Sequence, residues 1–163
     1  MIKQIIPKET CLKCQGCCRF LEAESCWLPT LLNEEIALLS KDPACQKIIS
    51  AKKKIKPVFS DKNNNYICHF LSPEDNKCKI YPFRPLECQL YPFLINYSQD
   101  RVWLAVDLNC PFVEPHLETE LFRQYVQYLN GLFASVEFKK LLKENPQTIQ
   151  VYPDARNLME III

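Results

Sequence analysis

The chain has 163 residues, of which 48% are hydrophobic, and a formal charge of +1 at pH 7. It is therefore long enough to bury one ordinary core and shows no bias toward an acidic or a basic partner. It contains only two glycines, Gly16 and Gly131, against 12 prolines. With two glycines, the sequence cannot form the glycine-rich loops that bind phosphates or S-adenosylmethionine. This disfavours a Rossmann-like enzyme, a P-loop protein or an ordinary methyltransferase.

No stretch approaches the roughly 20 consecutive apolar residues that a membrane span needs. The N-terminus lacks the sustained apolar region and the small-residue cleavage site of a secretory signal. We therefore expect a cytoplasmic protein with no membrane partner. In a reducing compartment, clustered cysteines favour metal binding over disulfide formation.

The first half of the chain predicts a strand and two helices. Residues 2–6, which contain three isoleucines and precede Pro7, predict the strand. Asn33 followed by two glutamates predicts a helix start with an asparagine cap, and Asp42-Pro43 should end that helix. A second short helix should carry Cys45. The lysine-rich run at residues 52–56 has no interleaved aromatic residues, so we interpret it as a solvated helix end and expect no nucleic-acid partner.

The second half predicts short strands followed by helices. The sequence predicts strands at residues 66–71 and 102–106, with a turn at residues 75–77 between them. After Pro115, an apolar stripe at helical spacing predicts a helix face turned to the core; its members are Leu117, Leu121, Tyr125, Tyr128, Leu132 and Val136. A further helix through Phe138 should end before Pro146. The last three isoleucines form either an edge strand or an apolar tail.

Four cysteines within eight residues are the strongest chemical signal: Cys11, Cys14, Cys17 and Cys18. Steps of three residues let a tight turn direct successive thiolates at one point, as tetrahedral zinc sites and cubane iron–sulfur sites both require. Adjacent side chains diverge, so Cys17 and Cys18 could serve different metals or different edges of one cluster. Six more cysteines follow, at Cys26, Cys45, Cys68, Cys78, Cys88 and Cys110.

A short internal sequence repeat supports a metal site in the middle of the chain. Cys78 and Cys88 are each followed, at the same distance, by Tyr-Pro-Phe. Proline fixes the turn, and we expect the aromatic rings to shield the site from water. Cys110-Pro111 completes a pattern like that of bacterial ferredoxins, in which a Cys-x-x-Cys-x-x-Cys run and a remote Cys-Pro hold four-iron clusters.

These residues resemble the YkgJ-type cysteine cluster proteins, a family described as a zinc- or iron-chelating domain. The family pattern is Cys-x-x-Cys-x-x-Cys-Cys, an isolated Cys, Cys-x-Ile-Tyr-x-x-Arg-Pro-x-x-Cys-x-x-x-Pro-Phe, and Cys-Pro. It is met over residues 11–111 by Cys11, Cys14, Cys17, Cys18, Cys68, Cys78, Tyr81, Arg84, Pro85, Cys88, Pro92, Phe93, Cys110 and Pro111. The resemblance implies that the eight cysteines in this pattern are the metal ligands, and it leaves Cys26 and Cys45 outside the site.

The resemblance also connects the chain to flagellin lysine methylases, which carry the same cysteine pattern. Two departures weaken any transfer of a substrate site: Gln89 replaces a frequent basic residue, and Phe112-Val113-Glu114 replaces glycines. Arg84 would donate hydrogen bonds to cluster sulfurs or pair with a carboxylate such as Glu87. No catalytic group stands out, because a metal-bound thiolate is not free to attack a substrate. His69 and His116 are poor ligand candidates.

We expect an α+β protein. It should be a small single domain of residues 1–163, in which a cysteine-rich core of loops and short strands packs against helices from the N-terminal half and helices at residues 115–145. Three functions remain open: metal binding; an iron–sulfur protein, including a lysine N-methylase relative; and a zinc-pinned interaction module that docks a protein partner on the Tyr125 face. Gly16 before Cys17 suits Zn²⁺, whereas the triple spacing and Cys110-Pro111 suit a [4Fe-4S] cluster, which we favour narrowly.

Overall fold

The computed structural model describes residues 2–14, 16–62 and 64–163. Within these residues it has seven α-helices and two three-stranded antiparallel sheets, which confirms the α+β class. The chain forms two compact units. We call Lys8–Gln89 the cysteine unit, and the segment up to Pro7 together with Leu90–Ile163 the C-terminal unit. The grouping of the whole chain as one domain stays a prediction.

The cysteine unit combines short helices with one small sheet. The sheet has the order β1-β3-β2, and its register places Arg19 opposite Ile67 and Val58 opposite Ile67 on the other side. Its core is built mainly from aliphatic and aromatic side chains, including Phe20, Leu31, Ile55 and Phe70. The elements are α1 (Lys8–Cys14), β1 (Arg19–Phe20), α2 (Asn33–Leu39), α3 (Pro43–Lys47), β2 (Pro57–Ser60), β3 (Asn65–Cys68), a 3₁₀ turn (Tyr81–Phe83) and α4 (Leu86–Leu90), which ends at the unit boundary.

The C-terminal unit contains the second sheet, in the order β4-β5-β6, and three helices. Gln99 and Asp100 connect β4 to β5, both with positive φ (53° and 58°), as a tight hairpin requires. Ile161 follows the edge strand, is buried, and donates its N–H to the carbonyl of Val102 (2.8 Å). The elements are β4 (Phe93–Ser98), β5 (Arg101–Val106), α5 (Val113–His116), α6 (Glu120–Ala134), α7 (Val136–Glu144), a 3₁₀ turn (Pro146–Thr148) and β6 (Arg156–Glu160).

Two hydroxyl caps divide the C-terminal helical segment. The Thr119 side chain accepts from the N–H of Phe122 (3.3 Å) at the start of α6, and the Ser135 side chain accepts from the N–H of Phe138 (3.2 Å) at the start of α7. Ser135 has an extended backbone, which ends α6 before α7 begins. The helix α7 ends before Pro146, as the sequence predicts.

The predicted core face of α6 is wrong. The helix buries Phe122, Tyr125, Leu129 and Phe133, so only Tyr125 belongs to both sets. Leu121, Tyr128 and Val136 are exposed. Two interleaved stripes have helical spacing, and the stripe with more aromatic volume is the buried one; the break at Ser135 also removes Val136 from this helix.

Other predicted elements match the structure in part. The turn at residues 75–77 and the strand at residues 102–106 are confirmed, whereas residues 2–6 do not form a strand. The helix α2 begins at Asn33, but the predicted asparagine cap is wrong, because the N-cap position is Leu32. In the part of the chain that the structure describes, none of the helices has the length and apolar character needed to cross a membrane.

A pair of leucine substitutions on α6 tests the buried face. Leu129→Ala should lower the free energy of unfolding by about 2–5 kcal/mol, because Leu129 is 0% exposed and its loss leaves a cavity. Leu121→Ala, at a position that is 54% exposed, should change it by less than about 0.5 kcal/mol. Urea unfolding of both variants measures the difference. A larger loss for the Leu121 variant would contradict the observed face.

Candidate thiolate metal centre

The cysteine unit holds seven of the eight cysteines that the sequence pattern singles out. Helix α1 carries Cys11 and Cys14, the turn before β1 carries Cys17 and Cys18, β3 ends at Cys68, a loop carries Cys78, and α4 carries Cys88. The eighth, Cys110, lies in the C-terminal unit. No disulfide joins the cysteines that the structure describes.

Helix α1 and the turn that follows it bring four of these cysteines into one short segment. Cys11 and Cys14 are three residues apart, so they lie on the same face of α1. A Cβ atom added at Gly16 would lie 3.3 Å from Cys14 Sγ, which shows that the Cys14 sulfur approaches the backbone of the turn closely. Cys17 Sγ lies 4.0 Å from Cys18 Sγ. The predicted tight turn thus begins as a helix.

The sheet joins this segment to the distant cysteines. The N–H of Cys68 donates to the carbonyl of Cys18 (2.9 Å), which continues the β1–β3 pairing by one residue. The N–H of Leu71 then donates to the carbonyl of Cys68 (2.9 Å), and Leu71 forms an antiparallel bridge with Cys78. Three cysteine-bearing segments are therefore held by backbone hydrogen bonds, whatever their side chains bind.

Burial and mutual repulsion keep these thiols protonated. Burial raises the pKa of Cys68 to about 11, against hydrogen bonds from the N–H groups of Phe70 and Leu71 that lower it. Burial likewise raises the pKa of Cys88, with added repulsion from neighbouring thiolates. The pKa of Cys18 is raised by its hydrogen bond with Cys17 and by burial. A thiolate here needs a cation beside it.

Arg84 supplies one positive charge near two of the thiols. Its guanidinium carbon lies 4.0 Å from the centroid of the Tyr81 ring, a cation–π contact. Burial raises the pKa of Cys11 and that of Cys78, and the Arg84 charge opposes both shifts. The role of Arg84 toward a bound cofactor stays a prediction. Glu87, its suggested partner, accepts a hydrogen bond from the backbone N–H of Thr30 (2.7 Å).

Glu35 positions the helix that carries Cys88, a role that sequence reasoning missed. Its carboxylate accepts from the N–H of Leu32 (2.8 Å) at the start of α2 and from the N–H of Leu86 (2.7 Å) at the start of α4. One side chain thus caps two helices. The sequence signal was present as an acid in the first turn of α2, but the second contact spans 51 residues and cannot be read locally.

The two copies of the Tyr-Pro-Phe repeat differ in exposure. Tyr81 and Phe83 are exposed, Phe83 by 77%, so the expectation that they shield the site from water is wrong. In the C-terminal unit, Phe93 is buried and the Tyr91 hydroxyl donates to Asp107 (2.9 Å). The two copies share a sequence but belong to different units.

Cys110 is buried in a turn that Asp107 organises. The N–H of Cys110 donates to the carbonyl of Asp107 (3.3 Å), and the Cys110 carbonyl accepts from the N–H of Val113 (2.8 Å). The Asp107 carboxylate also accepts from the backbone N–H of Asn109 (2.9 Å). Cys110-Pro111 thus lies in a hydrogen-bonded turn of the C-terminal unit.

The remaining candidates have local partners. Cys45 donates to the Asp42 carboxylate (3.7 Å), and the carbonyl of Cys26 accepts from the amine of Lys54 (2.8 Å). His69 is exposed. His116 Nδ1 lies 2.6 Å from the carbonyl of Phe112, and its ring stacks on the Phe112 ring.

The thiols of the cysteine unit fit a metal ion in kind and number, since buried, mutually repelling sulfurs gain most from a shared cation. Across residues 2–14, 16–62 and 64–163, however, no three Cys, His, Asp or Glu side chains stand in an arrangement that could hold an ion. Metal binding through these sulfurs would have to draw them closer together.

The bridging role of Glu35 is tested by two neighbouring alanine substitutions. Glu35→Ala should lower the free energy of unfolding by about 2–4 kcal/mol, because two charge-assisted hydrogen bonds to helix starts are lost. Glu34→Ala, at an exposed position of the same turn, should cost less than about 0.5 kcal/mol. Equal losses in chemical denaturation would rule out the bridge.

The raised thiol pKa values predict how pH affects the reduced, metal-free protein. Folding raises the pKa of Cys68 from 9.0 to about 11, so the folded state holds this proton more tightly than the unfolded chain. The resulting stabilisation is complete below pH 9.0 and is lost as the pH rises through about 11. Urea unfolding across this range should show a decline that is smaller in Cys68→Ser. An identical decline in that variant would contradict the assignment.

The comparisons with known proteins add one finding. A family described as "CxxCxxCC: Putative zinc- or iron-chelating domain" matches residues 10–114. No curated protein and no solved structure matches the chain. The family match spans well over half of the sequence and includes all eight patterned cysteines, so the chain belongs to the CxxCxxCC zinc- or iron-chelating domain family.

Proposed function

We propose that the cysteine unit is a thiolate metal centre and that the protein works by binding zinc or iron there. The observation that carries this proposal is the gathering of seven patterned cysteines in one compact unit, on segments joined by backbone hydrogen bonds. Family membership supports metal binding by the cysteines. Metal ions are therefore the partners that we propose.

The electrostatics of the unit explain why a metal would be held tightly. Each buried thiolate is disfavoured by lost hydration and by its neighbours, as the raised pKa values of Cys18, Cys68 and Cys88 show. A divalent cation replaces this repulsion by attraction and takes the place of the protons. Soft thiolate sets select zinc and iron–sulfur chemistry over magnesium or calcium.

The number of thiols supports individual divalent ions. The eight patterned thiolates would fill two closed tetrahedral sites completely, whereas a cubane cluster uses four of them and leaves four for a second site. We place zinc, or iron bound as single ions, ahead of the iron–sulfur cluster that the sequence spacing favours narrowly, because the thiolates of the chain complete such sites without inorganic sulfide.

An iron–sulfur cluster is the second candidate, as in a lysine N-methylase relative. The N–H groups directed at the Cys68 and Cys78 sulfurs favour it, because hydrogen bonds to sulfur stabilise reduced clusters.

The structure disfavours the third function, a module that docks a protein partner on the Tyr125 face. Tyr125 is buried, and its hydroxyl donates a hydrogen bond to the Lys3 carbonyl, so this side chain is not available to a partner.

Metal and sulfide analysis of protein purified without oxygen or chelators tests the proposal. We expect a colourless protein with about two zinc ions, or single iron ions, and no acid-labile sulfide. A brown protein with a broad band near about 400 nm and labile sulfide would establish the iron–sulfur candidate instead. A protein that remains metal-free after loading would contradict thiolate metal binding itself.

Two cysteine substitutions locate the ligands. Cys14→Ser should lower the bound metal and the melting temperature, since Cys14 lies in the turn segment of the centre. Cys45→Ala should leave the metal content unchanged, because Cys45 makes its contact with Asp42. Loss of a metal ion from the Cys45 variant would show that the proposed ligand set is wrong.

A further inference from the structure

The segment that begins with α1 contributes no buried residue to the core. Helix α1 has seven residues, and none of them is buried. The described residues between Ile2 and Phe20 are all at least partly exposed to solvent. Three patterned cysteines of this segment, Cys11, Cys14 and Cys17, are exposed. Isolated helices shorter than about 12–15 residues are marginal in water, so α1 needs a stabilising partner that the core does not supply.

Hydrogen bonds hold the chain on both sides of this segment. Before it, the Tyr125 hydroxyl donates to the carbonyl of Lys3, and the N–H of Lys3 donates to the Tyr128 hydroxyl (3.3 Å). After α1, the N–H of Arg19 donates to the carbonyl of Gly16 (2.9 Å), and β1 then pairs with β3. The segment is therefore anchored at two points and unburied between them, which distinguishes it from a frayed terminus.

Other cysteines of the unit are fixed by the fold. Cys68 is buried, and its N–H donates to the carbonyl of Cys18 (2.9 Å) in the sheet. Cys88 lies on α4, whose start is held by the Glu35 carboxylate. Among the residues that the structure describes, no three potential ligands stand where they could hold an ion. Gathering the sulfurs on a metal therefore needs least reorganisation if the unburied segment moves toward the fixed cysteines.

We propose that α1 and the turn after it, residues 8–14 and 16–17, form a lid that closes over the fixed cysteines when a metal ion binds and opens when the ion leaves. The inference rests on the proposed function and deepens it by assigning metal entry and release to one segment. Cys11 and Cys14 lie on the same face of α1, so their bonds to a metal stabilise the helix as the lid closes. Without metal, α1 lacks this support and unfolds locally.

Hydrogen exchange of the reduced, unmodified protein tests the lid with and without Zn²⁺. In the metal-free protein, we expect the amides of Leu12, Lys13 and Cys14 to exchange almost as fast as in an unfolded chain. The amide of Cys68, which is bonded in the sheet, should stay protected. Zinc should slow the three lid amides by at least about tenfold.

Each other outcome of the exchange experiment is decisive. Lid amides that are already protected without metal would overturn the open state. Lid amides that exchange equally fast with zinc bound would overturn the closure and leave the metal centre intact. A protein that binds neither zinc nor ferrous iron would contradict the proposed function instead.

Two matched glycine substitutions separate closure of the lid from general stability. Lys13 in α1 and Gln127 in α6 are both exposed, and glycine at either position disfavours the helix. Lys13→Gly should weaken zinc binding by about fivefold and leave unfolding of the metal-free protein unchanged, because α1 folds only in the loaded state. Gln127→Gly should raise the unfolding equilibrium constant by about fivefold and leave zinc affinity unchanged. Unchanged zinc affinity in the Lys13 variant, or equal destabilisation of both metal-free variants, would show that α1 is a permanent helix and not a lid.

Discussion

Repulsion among crowded thiols is the constraint on which this molecule depends. A short segment and three distant positions bring seven cysteines into one unit, and several of them are buried with raised pKa values. Without a cation, such sulfurs are stable only as neutral thiols. With a cation, the same crowding becomes the source of affinity, because every sulfur that loses a proton gains a bond. The thiols therefore become negatively charged thiolates only when a metal ion is present to compensate that charge.

Backbone contacts and one carboxylate hold the sulfur-bearing segments in place. The sheet joins Cys18 to Cys68, and Glu35 holds the start of the helix that carries Cys88. These contacts lie outside the sulfurs themselves, so the framework can persist while the side chains move onto a metal. Arg84, fixed above the Tyr81 ring, adds a positive charge that reduces the cost of forming thiolates nearby.

The sequence predicts the chemistry of this protein better than its three-dimensional arrangement. Cysteine spacing is a local signal, so the family and the α+β class could both be predicted from it and from short-range patterns. The buried face of α6 could not, because two stripes share the helical period and only tertiary packing selects Leu129 over Leu121. Likewise, no local pattern links Glu35 to Leu86, or places Cys110 in a different unit from the other patterned cysteines.

The central claim is that sulfur atoms of the cysteine unit bind the metal directly. X-ray absorption at the metal edge of the loaded protein measures this without any substitution. We predict a first coordination shell made of sulfur alone, at about 2.3 Å if the metal is zinc. A first shell dominated by nitrogen or oxygen scatterers near about 2.0–2.1 Å would contradict a thiolate centre and would place the metal elsewhere in the chain.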